Sequence, residues 1–226
     1  MSAVVEDYSK QLDIEVQPDI NRSALIVVDM QYATGHHEGP LAKKMQAEGN
    51  TVTDWRFQRI KEVVIPNIKS LLSLMRHMGG KVIYLTAGSS TEDCGDIPSH
   101  MREFYKEVGN YLGQPAHSII DELKPIDGEH ILRKTSMGAF ASTDIEQLLK
   151  DIDVEHLYFT GVSTNVCVES TAREAADRGY SVTIIDDACS TTHKDLHDAC
   201  LSTFSKYFGK VRSTVDVTRT FEVDKQ

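Results

Sequence analysis

The sequence predicts a single α/β domain, a three-layer sandwich in which a mostly parallel sheet of about six strands is flanked by helices. Three observations carry this. The chain has 226 residues, enough to fill one core of this kind. From Ser23 onward, short β-rich runs alternate with longer stretches of helical periodicity. Repeated βα units with right-handed crossovers build an open parallel sheet. Finally, Ala24-Leu-Ile-Val-Val28 is apolar without interruption, as a strand must be when both its faces are covered.

Each element can be justified in turn. After the first strand, Ile60, Val63, Val64, Ile68, Leu71, Leu72 and Met75 recur at helical spacing between Arg59 and Met78. Pro66 predicts a kink or restart within that helix, and Gly79-Gly80 ends it. Lys81–Thr86 is the second strand. Ala87 to Gly128 is punctuated by Gly and Pro, with one short helix expected near Met101 to Val108. His130–Lys134 is the third strand. Thr143 to Asp151 reads as a helix with Thr143 as N-cap and Glu146 three residues on, the capping-box pattern. His156–Thr160 (strand), Val166–Arg178 (helix), Ser181–Ile185 (strand), Lys194–Phe208 (helix) and Lys210–Ser213 (strand) complete the series. Residues 1–20 are set apart as an N-terminal extension, 21–215 as the domain and 216–226 as a C-terminal tail. Residues 41–57, with Trp55, fit either a lid over a pocket or an oligomer contact.

Composition narrows the function. With 24 Lys and Arg against 34 Asp and Glu, the chain carries a formal charge of −10 and shows no basic cluster, which argues against nucleic acid as a partner. No apolar run approaches the length of a membrane span, and the acidic first twenty residues contain no apolar core of a secretion signal, so a cytoplasmic protein is expected. Cys94, Cys167, Cys189 and Cys200 show no C-x-x-C spacing, and free thiols are the expectation.

In open parallel sheets, ligands bind beyond the carboxyl ends of the strands. Asp29 follows the first strand, Lys134 ends the third, and Gly161-Val-Ser-Thr-Asn-Val-Cys167 follows the fourth. A carboxylate, an amine and a thiol thereby converge on one sheet edge. Cys167 at a helix start, beside an ammonium, is expected to have a lowered thiol pKa. A thiolate attacks carbonyl carbon, first-turn amides can hold the oxyanion, and Asp29 can move the proton. Each residue alone also has an ordinary structural role: buried core for Cys167, a strand-end turn for Asp29, and a solvated strand terminus for Lys134.

Those residues sit in segments that together resemble the isochorismatase-like cysteine hydrolases: Ala24–Gln31, Lys134–Phe140, Thr160–Val168, Ala172–Gly179 and Asp186–Ser190. The resemblance spans roughly residues 20 to 215. It implies a Rossmann-like sandwich, a catalytic triad of Asp29, Lys134 and Cys167, and a cis peptide between Val162 and Ser163. It also implies an oxyanion site formed by the backbone N–H groups of Ser163 and Cys167, and a homo-oligomer, dimer or tetramer. True isochorismatases lack this cysteine, so the amidohydrolase branch is implied, with its ureidoacrylate, biuret and N-carbamoylsarcosine hydrolases. Nicotinamidases carry a metal-binding histidine after the second strand. Here Thr86–Asp93 has none, which points away from nicotinamide, and neither metal nor other cofactor is expected. The adjacent His36 and His37 read as a loop pair rather than ligands. Gln31, Tyr32, His36, Phe140 and Thr164 are placed around a small-molecule substrate by their closeness in sequence to the triad. A fold-retaining protein that binds a small molecule or partner without turnover is the alternative.

Overall fold

The computed structural model describes residues 17–223. Among these, six parallel strands form one sheet: β1 (Ser23–Val28), β2 (Lys81–Ala87), β3 (His130–Lys134), β4 (His156–Val162), β5 (Ser181–Ser190) and β6 (Lys210–Arg212). Their order is β3-β2-β1-β4-β5-β6. The direction of strand progression reverses between β1 and β4, which pair in register from Ser23↔His156 to Val28↔Gly161. That is the switch point at which doubly wound sheets open a crevice.

Period-two alternation sends β1 into two cores. Leu25 and Val27 join Val82, Tyr84 and Tyr158 on one face, and Ala24, Ile26 and Val28 join Ile83, Leu85, Leu157 and Phe159 on the other. This is why the run is apolar throughout. The helices are α1 (Tyr32–Gly35), α2 (Pro40–Ala47), α3 (Asp54–Arg59), α4 (Ile65–Met78), α5 (Arg102–Glu107), α6 (Ile145–Asp151), α7 (Glu169–Ala176), α8 (Lys194–Tyr207) and α9 (Thr214–Val223). Ile60, Val64, Ile68, Leu71, Leu72 and Met75 pack on the first core, and Ile145, Leu149, Ala172, Ala175, Leu201 and Phe204 on the second.

Several boundaries differ from expectation for physical reasons. The helix does restart at Pro66, but only after a π turn that the sequence does not announce. A π turn over Ile60–Val64 joins α3 to α4, the Ile65 N–H reaching the Ile60 carbonyl, and Pro66 falls in the first turn of α4. The capping box at α6 does not form. Thr143 Oγ1 accepts the Ile145 N–H at 3.2 Å, while Glu146 is drawn to Lys150 and Arg178. Strand β5 runs past Ile185 to Ser190 because an irregularity opposite Phe159 to Gly161 absorbs the two aspartates. Asp187 then receives the Thr214 N–H and hydroxyl, both at 2.8 Å, at the start of α9. Residues 216–223, set apart above with the C-terminal tail, belong to α9. Val217 and Phe221 are buried, with the Phe221 ring 5.6 Å from that of Tyr158. Of the N-terminal extension, residues 1–16 lie outside the described residues, and Ile20 packs against the first core.

Candidate active site

The site forms where β1 and β4 end. Gly161 has φ +102, and a Cβ there would sit 2.1 Å from the Val28 carbonyl oxygen, so only glycine lets the two strand ends approach. The Val162–Ser163 peptide that follows is cis. A π turn, Thr164–Val168, then leads into α7. The Ser163 carbonyl accepts the Val166 and Val168 N–H groups at 3.0 and 3.2 Å, and Cys167 lies on the turn between them.

Asp29 leaves β1 in the left-handed region at φ +51, a conformation that a short polar residue tolerates. Its N–H donates to the Leu85 carbonyl and its own carbonyl accepts the Gln31 N–H, each at 2.8 Å. Lys134, at the end of β3, is fully buried and crosses β2 to reach it. That span is two strand spacings, about 10 Å, which suits the long lysine side chain. Lys134 Nζ donates to Asp29 Oδ2 at 2.9 Å and to the Ser136 carbonyl at 3.1 Å. The other carboxylate oxygen, Oδ1, is buried and has no hydrogen-bond partner among the described residues.

The electrostatics reverse one expectation. Burial and the Asp29 carboxylate push the Cys167 thiol up to about 12, against the opposing pull of Lys134. Both effects favour the protonated thiol, the opposite of the lowering expected from helix start and ammonium. Burial outweighs the helix start, and the Lys134 charge is already engaged by Asp29. For Lys134, burial alone would lower the ammonium, but attraction to Asp29 and to the Cys167 sulfur outweighs it and raises the pKa. Cys167 Sγ lies 3.8 Å from Met137 Sδ. Cys94, Cys189 and Cys200 are free and buried.

Asp29 and Cys167 line a cavity of about 340 Å³ together with Arg56, Tyr105, Asn110 and Ser163, and with apolar walls from Leu41, Met45, Val52, Met101, Phe104, Met137 and Val166. The structure brings the carboxylate, amine and thiol together, but does not bring the five residues placed by sequence proximity to this cavity. Gln31 is wholly buried in a brace, its Oε1 accepting the Ala87 N–H and its Nε2 donating to the His117 carbonyl and Asn110 Oδ1. Tyr32 accepts the Asp121 N–H and packs its ring 5.1 Å from that of His36. His36, instead of lying open in a loop, is buried against Glu122 at 3.3 Å. Phe140 lies under the Arg178 guanidinium, and Thr164 is buried with its hydroxyl on His197 Nδ1 at 2.8 Å. These five turn away to hold the chain around the site, whereas Ser163, Val166 and Met137, also near the triad in sequence, do line the cavity.

Arg56, Tyr105 and Asn110 escape the sequence reading because they arrive from segments remote from the strand ends. Arg56 alone leaves a signal. It sits four residues before Ile60 and eight before Val64, on the core-facing stripe of its helix, where a charge has no solvent reason to be. The segment 41–57 forms a wall of the cavity through Leu41, Met45, Val52, Thr53 and Arg56. Trp55 instead packs outside, its ring 5.3 Å from the Arg59 guanidinium and 5.8 Å from the His197 ring. Among the described residues no cluster of three His, Cys, Asp or Glu could hold a metal ion, and no helix is long and apolar enough to cross a membrane.

The isochorismatase domain family matches residues 23–216. The chain belongs to the isochorismatase family. It is 31% identical over 221 residues to a ureidoacrylate amidohydrolase, RutB, from Caulobacter segnis, covering 91% of this chain and 88% of that one. It is 32% identical over 209 residues to the RutB protein of Serratia proteamaculans, covering 86% and 80%. Among solved structures, a cysteine hydrolase from Pseudomonas syringae pv. phaseolicola superposes with a TM-score of 0.76 at 26% identity, covering 93% of this chain and 97% of that one. An N-carbamoylsarcosine amidase from Thermoplasma acidophilum shares the fold at 20% identity and a TM-score of 0.62, covering 85% and 96%. The six-stranded α/β sandwich is thus the fold of this family, and the chain is an amidohydrolase, acting on carbon–nitrogen bonds.

Proposed function

We propose that the chain hydrolyses a C–N bond of a small acyclic amide or ureide through a thioester on Cys167. One observation carries the mechanism. Asp29 has one oxygen tied to Lys134 and the other buried without a partner, in a cavity shared with a neutral thiol. A neutral thiol needs a base at the moment of attack, and Asp29 Oδ1 is the available acceptor. As Sγ bonds to the carbonyl carbon, the thiol proton passes to Asp29. The charge that develops on the carbonyl oxygen is held by the backbone N–H groups of Ser163 and Cys167. The C–N bond then breaks, the leaving nitrogen takes the proton from Asp29, and a thioester remains. Water, giving its proton to Asp29, attacks the thioester, and the thiol is regenerated as the acid product leaves. Lys134 keeps Asp29 oriented and its charge compensated throughout.

The substrate reading rests on the cavity and on the relatives. The cavity is at the small end of ligand sites. Gln31 and His117 hold Asn110 through its Oδ1, so its Nδ2 donor is the end available to a ligand carbonyl. The named activity of the RutB relatives supports a ureide. The test is ammonia release from biuret, N-carbamoylsarcosine, ureidoacrylate-type acids and simple amides, with Cys167→Ala alongside and with mass spectrometry of the quenched enzyme. Turnover lost in Cys167→Ala and an acyl adduct on Cys167 in the wild type are the expected results. An alanine variant near wild-type activity overturns the mechanism.

A further inference from the structure

The Arg56 guanidinium is the charge in the cavity that the mechanism above leaves without work. It is 4% exposed. Its Nε and Nη2 donate to the Thr34 carbonyl at 3.2 and 2.8 Å, and its Nη1 donates to Ser163 Oγ at 2.6 Å. These partners are neutral, and no carboxylate of a described residue pairs with it. A guanidinium has five N–H donors, so one N–H on each terminal nitrogen has no partner among the described residues. Burial lowers its pKa only to about 10, so it stays charged at neutral pH.

The cavity's charge is therefore unbalanced. Asp29 and Lys134 cancel each other, Cys167 is neutral at rest, and Arg56 leaves one net positive charge among the lining groups and their partners. An uncompensated buried cation is costly, and a protein that keeps one gains when a ligand supplies the anion. A planar guanidinium pairs with a carboxylate through two parallel N–H bonds, and a carboxylate is the anion that a small amide or ureide can itself carry. The remaining lining is largely apolar, as suits a short carbon spacer.

We infer that Arg56 is the specificity-determining residue of this site: it anchors a carboxylate on the substrate while the carbonyl lies at Cys167. This rests on the amidohydrolase reading of the same site and narrows it to acids. Arg56 is held for the task by Thr34 from α1 and by Ser163 from the β4 end, which links the anchor to the turn carrying the nucleophile. A competing role exists for the same geometry, because Arg56 is also close enough to Cys167 to feel its charge. It would then assist the oxyanion of every substrate, charged or not.

Binding separates the two roles without requiring turnover. The Cys167→Ala protein is titrated by calorimetry with 3-ureidopropionate and with its neutral isostere 3-ureidopropanamide. The same pair is then measured in Cys167→Ala combined with Arg56→Gln or with Arg56→Lys, and melting curves confirm that each variant folds. The acid should bind at least about 30-fold tighter than the amide. Arg56→Gln should weaken the acid by about 100-fold and the amide by less than about 3-fold, and Arg56→Lys should fall between, keeping charge but losing the fork. Equal affinity for acid and amide in the Arg56 protein overturns the inference, even if the Gln variant fails to fold. So does an equal loss on both ligands in Arg56→Gln, or failure of the acid to bind at millimolar concentration. Turnover surviving in Cys167→Ala would instead count against the thioester mechanism, and leaves the Arg56 comparison to be judged on its own.

Discussion

Asp29→Asn should make Cys167 more reactive and the enzyme inactive. In the native site the Asp29 carboxylate works in two directions. It raises the thiol pKa by repelling the thiolate, and it occupies the Lys134 ammonium that would otherwise stabilise that thiolate. Asparagine removes the charge and frees the lysine. A unit charge about 4 Å away in a medium of effective dielectric ~20 is worth about 4 kcal/mol, which corresponds to a pKa change of about 3. The thiol should fall from about 12 to roughly 9, and the thiolate fraction at pH 8 should rise by about 1,000-fold. Thiolate nucleophilicity falls with pKa with a slope of ~0.45, cutting the gain to roughly 40-fold. The assay is the rate at which an aromatic disulfide probe labels Cys167 at pH 8, run beside hydrolysis of the best substrate. Faster labelling with turnover down by at least about 100-fold is expected, since the proton carrier is gone. Labelling that slows or stays unchanged in Asp29→Asn would refute the account of a neutral thiol held up by Asp29.

Two further perturbations test the frame around that chemistry. Lys134→Met leaves a buried carboxylate without its counter-charge and should cost about 3–5 kcal/mol of stability in denaturant titrations, with turnover lost. Because the folded pKa of Lys134 is raised, its contribution to stability is fully present below the unfolded value of about 10.4 and is lost as pH rises through the higher folded value. The wild type should therefore lose stability above about pH 10 more steeply than Lys134→Met does, as read from melting temperatures across pH 8 to 12. Gly161→Ala puts a Cβ against the Val28 carbonyl at a φ of +102. It should destabilise the protein by about 3 kcal/mol or more, and activity should fall even in the fraction that folds, because the β1 and β4 ends are forced apart.

The centre of the sheet is legible in the sequence because β1, β2 and β4 are buried on both faces, so hydrophobicity marks them without help from tertiary context. Ser23–Val28 and Lys81–Ala87 fall within a residue of the apolar runs that announce them, and the edge strand His130–Lys134 matches its expected bounds although Ile131 is exposed. Legibility fails where a polar residue inside an element is satisfied from a distance. Asp186 and Asp187 look like the end of β5 because nothing local explains them. Arg59 and His197 bind the first at 2.9 and 2.8 Å, the N-terminus of α9 takes the second, and the strand continues. The π turn before Pro66 is hidden for a related reason, since its hydrogen bonding leaves the helical spacing of Ile60, Val64 and Ile68 nearly intact.

The site divides along the same line. Asp29, Lys134 and Cys167 are legible because topology alone delivers strand ends to one edge, and a sequence that names its strands names their ends. Part of the cavity wall follows the same rule, since Ser163 and Val166 stand beside Cys167 and Met137 beside Lys134, but the rest does not. Arg56 comes from α3, Phe104 and Tyr105 from α5, and Asn110 from the irregular stretch beyond it. By contrast Gln31, Tyr32 and His36, adjacent to Asp29 in sequence, are spent on fixing the chain that carries it. A residue next to the nucleophile or its base must secure a backbone already committed to a left-handed φ or a tight turn, and its polar atoms are consumed in doing so. Residues that arrive from afar are anchored by their own elements and can leave donors open. If Arg56 and Asn110 meet the ligand, specificity in this fold can change in α3, α5 and the loop after it while the strand-end chemistry stays untouched. The residues that choose the substrate are then the ones that proximity in sequence is least able to find.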